Sequence, residues 1–160
     1  RPWVFQATID FPERLQDIRL RETLPPSLYE EFQRSFEDFH RLSYFRTTAQ
    51  QTRKSEVAAR QFIDANAVMG MGTDSGSPLN FHTESAWREI SALVDSGMTP
   101  LQAISVATKT GAEIIRRGND LGTIEPGKLA DILVVRGNPL FDINVLGYVE
   151  HVVKGGTVYR

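Results

Sequence analysis

The hydrophobic and polar positions along the chain predict strands that alternate with helices. Residues 3–9 and 67–73 are apolar without clean alternation, which is typical of strands covered on both faces. A long loop is predicted from Asp10 to Pro26. Ser27 with Glu30, and Thr99 with Gln102, have the form of capping boxes at helix starts. Apolar residues at helical spacing predict four helices, over residues 28–46, 55–65, 86–97 and 99–117.

The periodicity becomes strand-like after Leu121. Residues 125–128 form a predicted turn, and residues 132–135 and 148–154 are predicted strands. Gly155 and Gly156 suit a two-residue hairpin into residues 157–160. The order of elements therefore predicts an α/β layer followed by a small β unit.

Composition and charge exclude several classes of function. With 18 Lys and Arg against 20 Asp and Glu, the net charge is −2 and no basic run offers a nucleic-acid surface. The chain has no cysteine, which excludes disulfides, a thiol nucleophile and a cysteine-ligated zinc site, so any metal must be held by nitrogen and oxygen. No apolar stretch approaches the length of about 18 residues that crosses a bilayer. We expect a cytoplasmic protein that binds neither nucleic acid nor membrane.

Asp74 is the candidate catalytic residue. Counting by two along the strand predicted over residues 67–73 places Gly70, Gly72 and Asp74 on one face. The carboxylate then lies where a buried strand gives way to a loop, the position at which parallel α/β proteins assemble active sites. A carboxylate that caps a nearby backbone amide is the alternative explanation.

From Val68 to Arg160 the chain resembles the C-terminal part of the amidohydrolase superfamily, which contains metal-dependent hydrolases built on a (β/α)₈ barrel. Within it, the similarity is greatest to the branch of imidazolonepropionase-like enzymes and Xaa-Pro dipeptidases. The resemblance rests on an ordered series of short motifs: residues 72–74, His82 with Glu84, residues 97–100 with Ala103, 107–108, 121–124, 127–131, 138–140 and 152–156.

The resemblance implies a fold, a ligand and a role for Asp74. Residues 1–118 would form the C-terminal part of the barrel, with its last two strands, and residues 119–160 part of a small composite β-sandwich. Asp74 would ligate a divalent metal, expected to be one or two zinc ions, and take a proton from the metal-bound water. A metal ion lowers the pKa of its bound water from about 15.7 to about 7. The other family ligands, a His-x-His pair among them, are absent from this chain and would come from the remaining N-terminal part of the same polypeptide.

The three histidines differ in what they predict. His82, in the loop that would cover a barrel mouth, is the candidate substrate-binding residue, whereas His40 and His151 are expected to be structural. Ser75 and Glu84 have simple explanations as turn and helix-start residues. Lys128 and Asp131 are expected to make ion pairs or turn hydrogen bonds.

Three functions remain in view. The leading hypothesis is a piece of a metal-dependent amidohydrolase that cleaves a C–N bond in a small amide, cyclic amide or dipeptide-like substrate, with a homo-oligomer among the expected assemblies. Because a barrel needs about 250 residues, we expect the chain to begin inside a larger one and to be inactive alone. An α/β-hydrolase with Asp74 as nucleophile and His151 as base is disfavoured, because residues 76–78 separate Asp74 from the next helix. The third hypothesis is a noncatalytic α/β binding or assembly module.

Overall fold

A computed structural model describes Trp3 and residues 11–14, 16–38, 47–76 and 80–159. Helices come first and a small antiparallel sheet follows, which gives an α/β chain. The α-helices are α1 (Phe11–Arg14), α2 (Ile18–Thr23), α3 (Pro26–Asp38), α4 (Thr48–Asp64), α5 (Ser85–Asp95), α6 (Pro100–Ser105) and α7 (Gly111–Ile114). A π-helical segment (Val106–Thr110) joins α6 to α7, and a 3₁₀ helix (Ile143–Gly147) lies between strands β1 (Ile132–Val135) and β2 (Val149–Lys154), before β3 (Thr157–Val158).

The three strands form an antiparallel sheet in the order β1, β2, β3. Ile132 lies opposite Val153, which in turn lies opposite Val158, and the register shifts at a bulge between Val134 and Val135. The turn between β2 and β3 is Gly155 and Gly156, both at positive φ. These strands and their hairpin confirm the sequence prediction for this part of the chain.

Charged residues secure the start of the sheet. Asp131 forms an ion pair with Lys154 and accepts a 2.8 Å hydrogen bond from the backbone N–H of Gly155. Lys128 donates to the hydroxyl of Thr123. The turn and ion-pair roles predicted for Lys128 and Asp131 are therefore confirmed.

An apolar core lies where α5 turns into α6. Leu93, Met98 and Ala103 are buried there, and the partly buried Ile63, Met69, Ile90, Val94 and Val106 pack against them. Thr99 caps α6 through the predicted capping box, because its side chain accepts from the Gln102 N–H while the Gln102 side chain accepts from the Thr99 N–H. This cap fixes the direction of α6 and closes the turn over the core.

Gly122 lets the segment before the sheet lie directly on the helices. Its φ is +95°, and a Cβ added there would lie 2.8 Å from the Ala112 Cβ and 2.9 Å from the Lys109 Cα. A side chain at this position would meet both the left-handed backbone and the helical backbone below it. The predicted helix over 99–117 accordingly ends early, at Ile114, and the chain turns back across it.

We expect Gly122→Ala to lower the free energy of unfolding by about 2 to 4 kcal/mol, the sum of a left-handed backbone penalty and steric overpacking. Gly127→Ala is the matched control, because Gly127 has φ +91° but nothing within 4 Å of the added Cβ. Its cost should be about 1 kcal/mol, from the backbone alone. Urea unfolding of the two variants measures the difference, and equal losses would contradict the close approach.

The N-terminal third is more helical than the sequence indicated. The loop predicted from Asp10 to Pro26 contains α1 and α2, and α3 starts at Pro26, so Ser27 lies inside the helix and not at its cap. Asp17 explains the local helix, because its side chain caps α2 by accepting from the Arg19 N–H at 3.0 Å. The predicted helix over 28–46 is observed to Asp38, and the rest of the predicted range lies outside the described residues. The helix predicted over 55–65 is longer, Thr48–Asp64.

The two predicted barrel strands are not observed. The prediction over residues 3–9 lies outside the described residues except for Trp3, whose backbone is helical. Residues 67–73 have no regular secondary structure, and Val68 is 83% exposed. A barrel strand is held by hydrogen bonds to a neighbouring strand on each side, and the described residues contain no strand paired with residues 67–73. Within the described residues, no helix is both long enough and apolar enough to span a bilayer.

Candidate functional site

The candidate site is the loop that follows residues 67–73. The Thr73 and Ser75 hydroxyls lie 2.7 Å apart, and the Gly76 N–H donates to the Asn80 carbonyl at 2.9 Å. The Asn80 side chain, 1% exposed, donates from Nδ2 to the Thr73 carbonyl at 2.5 Å. Asn80 thus joins the backbone at Thr73 and Gly76 to its own position, and it fixes the backbone next to Asp74.

Sequence reasoning missed Asn80. The available signal was an amide side chain in a Gly, Ser and Pro-bearing loop, a setting in which Asn commonly bonds the nearby backbone. Periodicity could not find it, because a loop residue belongs to no helical or strand repeat.

Asp74 lies in this loop, directly after Thr73. Its φ is +55°, a left-handed conformation that Asp and Asn tolerate better than most residues, and its side chain is exposed. The expectation that Asp74 ends a buried strand, on one face with Gly70 and Gly72, is wrong in this structure, because residues 67–73 are not a strand. The carboxylate is presented by a turn instead.

His82 lies close to the same loop. A Cβ added at Gly76 would lie 3.5 Å from the His82 Cε1, and the imidazole is largely exposed. The chain therefore brings the two predicted site residues, Asp74 and His82, into one loop region, and substrate contact by His82 stays a prediction. His151 lies on β2 opposite Val134, and His40 lies outside the described residues.

Glu84 has a structural role. It is the N-cap residue of α5 and is buried, and it pairs with the guanidinium of Arg14 and, at 2.7 Å, with the Arg88 Nε. The simple explanation given for Glu84 at a helix start is therefore supported, although its ion pairs were not foreseen. The Glu84 carboxylate is held by arginines of α1 and α5.

The two arginines that bind Glu84 belong to an aromatic and arginine ladder. In it, three guanidiniums alternate with four aromatic rings, each guanidinium carbon lying between 4.4 and 5.6 Å from the ring centroids beside it. Such spacing is that of cation–π contacts. In order, the ladder is Phe81, Arg14, Trp3, Arg88, Trp87, Arg19 and Tyr148.

Asp17 lies beside this ladder and neutralises part of its charge. It accepts from the Arg19 Nε at 2.9 Å and Nη2 at 2.7 Å, and the Arg88 Nη2 lies 3.4 Å away. The hydrogen bond from Arg19 holds the pKa of the Asp17 carboxyl below its usual 3.8. The ionised form of Asp17 is therefore the one that the fold binds.

A lowered pKa in the folded state means that the Asp17 carboxylate stabilises the fold at neutral pH, and that this contribution is lost as the pH falls below about 3.8 through the lowered value. We expect Asp17→Asn to lower the free energy of unfolding at pH 7 by about 1 kcal/mol, allowing for solvent screening. Between pH 5 and pH 2, the stability of the variant should also change less than that of the unsubstituted chain. The variant lacks one carboxyl group whose pKa is lower in the folded state than in the unfolded state. Urea unfolding across this pH range tests both, and parallel acid profiles would contradict the assignment.

Among the described residues, Asp74 is the candidate ligand for the expected metal ion. The described residues contain no group of three His, Cys, Asp or Glu side chains placed to hold a cation. A catalytic zinc usually takes three protein ligands. Asp74, a hard oxygen donor on an exposed turn, fits one of these positions, and the described part of the chain does not fit the whole site.

Comparison with known proteins decides the family. The model of the amidohydrolase family matches residues 31–159, which is most of the chain. The chain belongs to the amidohydrolase family. The resemblance stated from the sequence motifs is therefore confirmed, and the matched region includes both Asp74 and His82.

Individual amidohydrolases resemble this chain over part of their length. An imidazolonepropionase from Porphyromonas gingivalis is 33% identical over 114 residues, 69% of this chain and 27% of that protein. A Xaa-Pro dipeptidase, solved with methionine bound in its active site, superposes with a TM-score of 0.66 and 26% identity over 98% of this chain and 33% of its own. The ochratoxinase of A. niger gives 0.60 and 29% identity over 72% of this chain and 27% of its own. The chain thus spans about a quarter of the length of the curated relative it matches.

Proposed function

We propose that this chain supplies the Asp74 part of the active site of a metal-dependent amidohydrolase, which hydrolyses a C–N bond in a small amide, cyclic amide or dipeptide-like substrate. The observation that carries the proposal is the exposed Asp74 carboxylate on a turn closed by Asn80, in a chain of the amidohydrolase family. The related imidazolonepropionase and Xaa-Pro dipeptidase support this substrate range.

In the proposed reaction, Asp74 handles the proton. Its carboxylate accepts a proton from the attacking water and delivers it to the leaving nitrogen, which is general base and then general acid catalysis. A divalent metal ion, zinc in our proposal and one or two per site, would be held in part by Asp74 and supplies a Lewis acid with a more acidic bound water. The hydrogen bonds of Asn80 and Thr73 keep the carboxylate in place during the transfer.

The architecture proposed around this site extends beyond the chain. Residues 1–118 would form the last part of a (β/α)₈ barrel, and residues 119–160, with β1 to β3, part of a composite β-sandwich. Further N-terminal polypeptide would supply the missing strands and metal ligands. This is consistent with a chain that spans 27% of a matched relative. We further propose that the protein acts in the cytoplasm, with a homo-oligomer as its possible assembly.

The test is hydrolysis by the complete polypeptide that contains this sequence. Xaa-Pro dipeptides, N-acyl amino acids and cyclic amides are supplied in turn, before and after removal of metal by a chelator. We expect turnover of at least one class, loss of turnover on chelation and its return with zinc, whereas the 160-residue chain alone should stay inactive. Turnover that resists the chelator would favour an Asp74 nucleophile, and no turnover of any class would favour a noncatalytic module.

We expect His82→Ala to raise the KM several-fold and leave kcat within about twofold, because an exposed side chain that contacts substrate contributes mainly to binding. His151→Ala is the matched control, since His151 is exposed on β2 in the sheet. Steady-state kinetics with the best substrate measures both variants. An unchanged KM and kcat for His82→Ala would show that this residue has only a structural role.

A further inference from the structure

His82 lies in a tight turn over residues 81–84, called here the His82 turn. The Phe81 carbonyl accepts from the Glu84 N–H at 3.2 Å and from the Ser85 N–H at 2.9 Å, and the Ser85 hydroxyl donates to the same oxygen. The turn leads directly into α5. The position of the imidazole therefore depends on what holds Phe81 and Glu84, the two ends of the turn.

Arg14 of α1 contacts both ends of the His82 turn. Its guanidinium forms an ion pair with the Glu84 carboxylate, and its guanidinium carbon lies 5.6 Å from the centroid of the Phe81 ring. Only 2% of the Arg14 side chain is exposed. Because water is excluded there, the ion pair and the cation–π contact are screened less than they would be at the surface. One buried guanidinium thus joins the residues that begin and end the turn.

The backbone next to the candidate carboxylate is fixed by other bonds. Asn80 donates to the Thr73 carbonyl at 2.5 Å, and its own carbonyl accepts from the Gly76 N–H at 2.9 Å. Neither hydrogen bond involves an atom of Arg14. Loss of the Arg14 guanidinium should therefore loosen the His82 turn and leave the carboxylate loop in place.

We propose that Arg14 is a positioning residue of the candidate site, which presents the His82 imidazole to substrate by holding both ends of the turn. The inference rests on the proposed function, because the substrate contact of His82 belongs to that proposal. It gives a role in substrate binding to a residue of α1 that lies 70 positions from Glu84 in sequence. Arg14 acts through His82 and not on the reacting atoms, so its removal should change KM and spare kcat.

Steady-state kinetics of the complete polypeptide tests this role. We expect Arg14→Gln to raise KM several-fold, as His82→Ala does, and to leave kcat within about twofold. In the double variant, Arg14→Gln should add nothing to the KM of His82→Ala, because its effect passes through that imidazole. A loss of stability alone would not produce such coupling in KM.

Arg88→Gln is the matched control. Arg88 also pairs with Glu84, its Nε lying 2.7 Å from the carboxylate, but the rings beside its guanidinium are Trp3 and Trp87. This variant removes an ion pair from the same carboxylate and leaves the contact with Phe81 intact. We expect its KM to be unchanged.

Amide hydrogen exchange measures the turn without any need for turnover. In Arg14→Gln, the Glu84 and Ser85 amides that donate to Phe81 should exchange about fivefold faster, because the turn opens more often. The amides of β2 serve as the internal reference, since a general loss of stability would accelerate them as well. Arg88→Gln should leave exchange at the start of α5 within about twofold.

Four results would overturn the proposal: an unchanged KM in Arg14→Gln, an unchanged KM in His82→Ala, additive effects of the two changes, or equal exchange in Arg14→Gln and Arg88→Gln. If the complete polypeptide shows no turnover, the proposed function fails separately, and hydrogen exchange decides whether Arg14 holds the turn. If circular dichroism shows that Arg14→Gln does not fold, Phe81→Leu takes its place with the same expected changes, because it removes the ring and keeps the ion pair.

Discussion

Asp74→Asn is expected to reduce kcat of the complete enzyme at least a thousandfold and to leave its fold intact. An amide cannot accept the proton of the attacking water, and general base catalysis with metal ligation makes a large contribution to such reactions. The fold survives because Asn tolerates the left-handed φ of +55° as well as Asp does, and because the side chain is exposed. Steady-state kinetics and thermal unfolding measure the two effects separately.

Asp64→Asn is the matched control, because Asp64 is an exposed carboxylate at the end of α4. It should keep kcat within about twofold. An Asp74→Asn enzyme with more than a tenth of normal turnover would remove Asp74 from the catalytic site. Loss of both turnover and folding would assign the residue to the structure.

Glu84→Gln is expected to lower the free energy of unfolding by about 3 to 5 kcal/mol, the usual cost of removing one partner from a buried ion pair. The carboxylate is buried between the guanidiniums of Arg14 and Arg88, and its loss removes a counter-charge from both of them. Urea unfolding at pH 7 gives the magnitude.

The control for this change is Glu150→Gln. Glu150 pairs with the Arg136 Nε at 2.9 Å, but that pair is largely exposed on the sheet. Solvent screens such pairs, so the loss should stay below about 0.5 kcal/mol. If Glu84→Gln costs no more than Glu150→Gln, the ion pairs of Glu84 contribute little to the stability of the fold.

Local chemistry explains which parts of the fold the sequence could predict. The Thr99 capping box and the Gly155 and Gly156 hairpin each depend on residues close together in sequence. Their geometry is fixed by side-chain hydrogen bonds and by backbone angles that glycine permits. Such features are readable from a short window of sequence.

Features that depend on distant partners were not predictable. Residues 67–73 have the composition of a buried strand, but a strand also needs neighbours that the described residues do not provide. The ladder of aromatic rings and arginines gives no periodic signal, because its members come from four separate segments. Within the candidate site, Asp74 and His82 were predicted from sequence motifs, whereas Asn80 was found only from its burial and its bond to Thr73.

The ladder also bears on the order in which the chain acquires structure. Arg14 and Glu84 are 70 positions apart, and Trp3 and Glu89 are 86 apart, so their contacts close long loops. Contacts between distant positions form later than a hairpin such as β2 and β3, because the entropy of loop closure must be lost first. During synthesis, which proceeds from the N-terminus, Trp3 and Arg14 lack Glu89 and Glu84 until the residues near position 89 have been made. Trp3 remains open to other contacts over that interval.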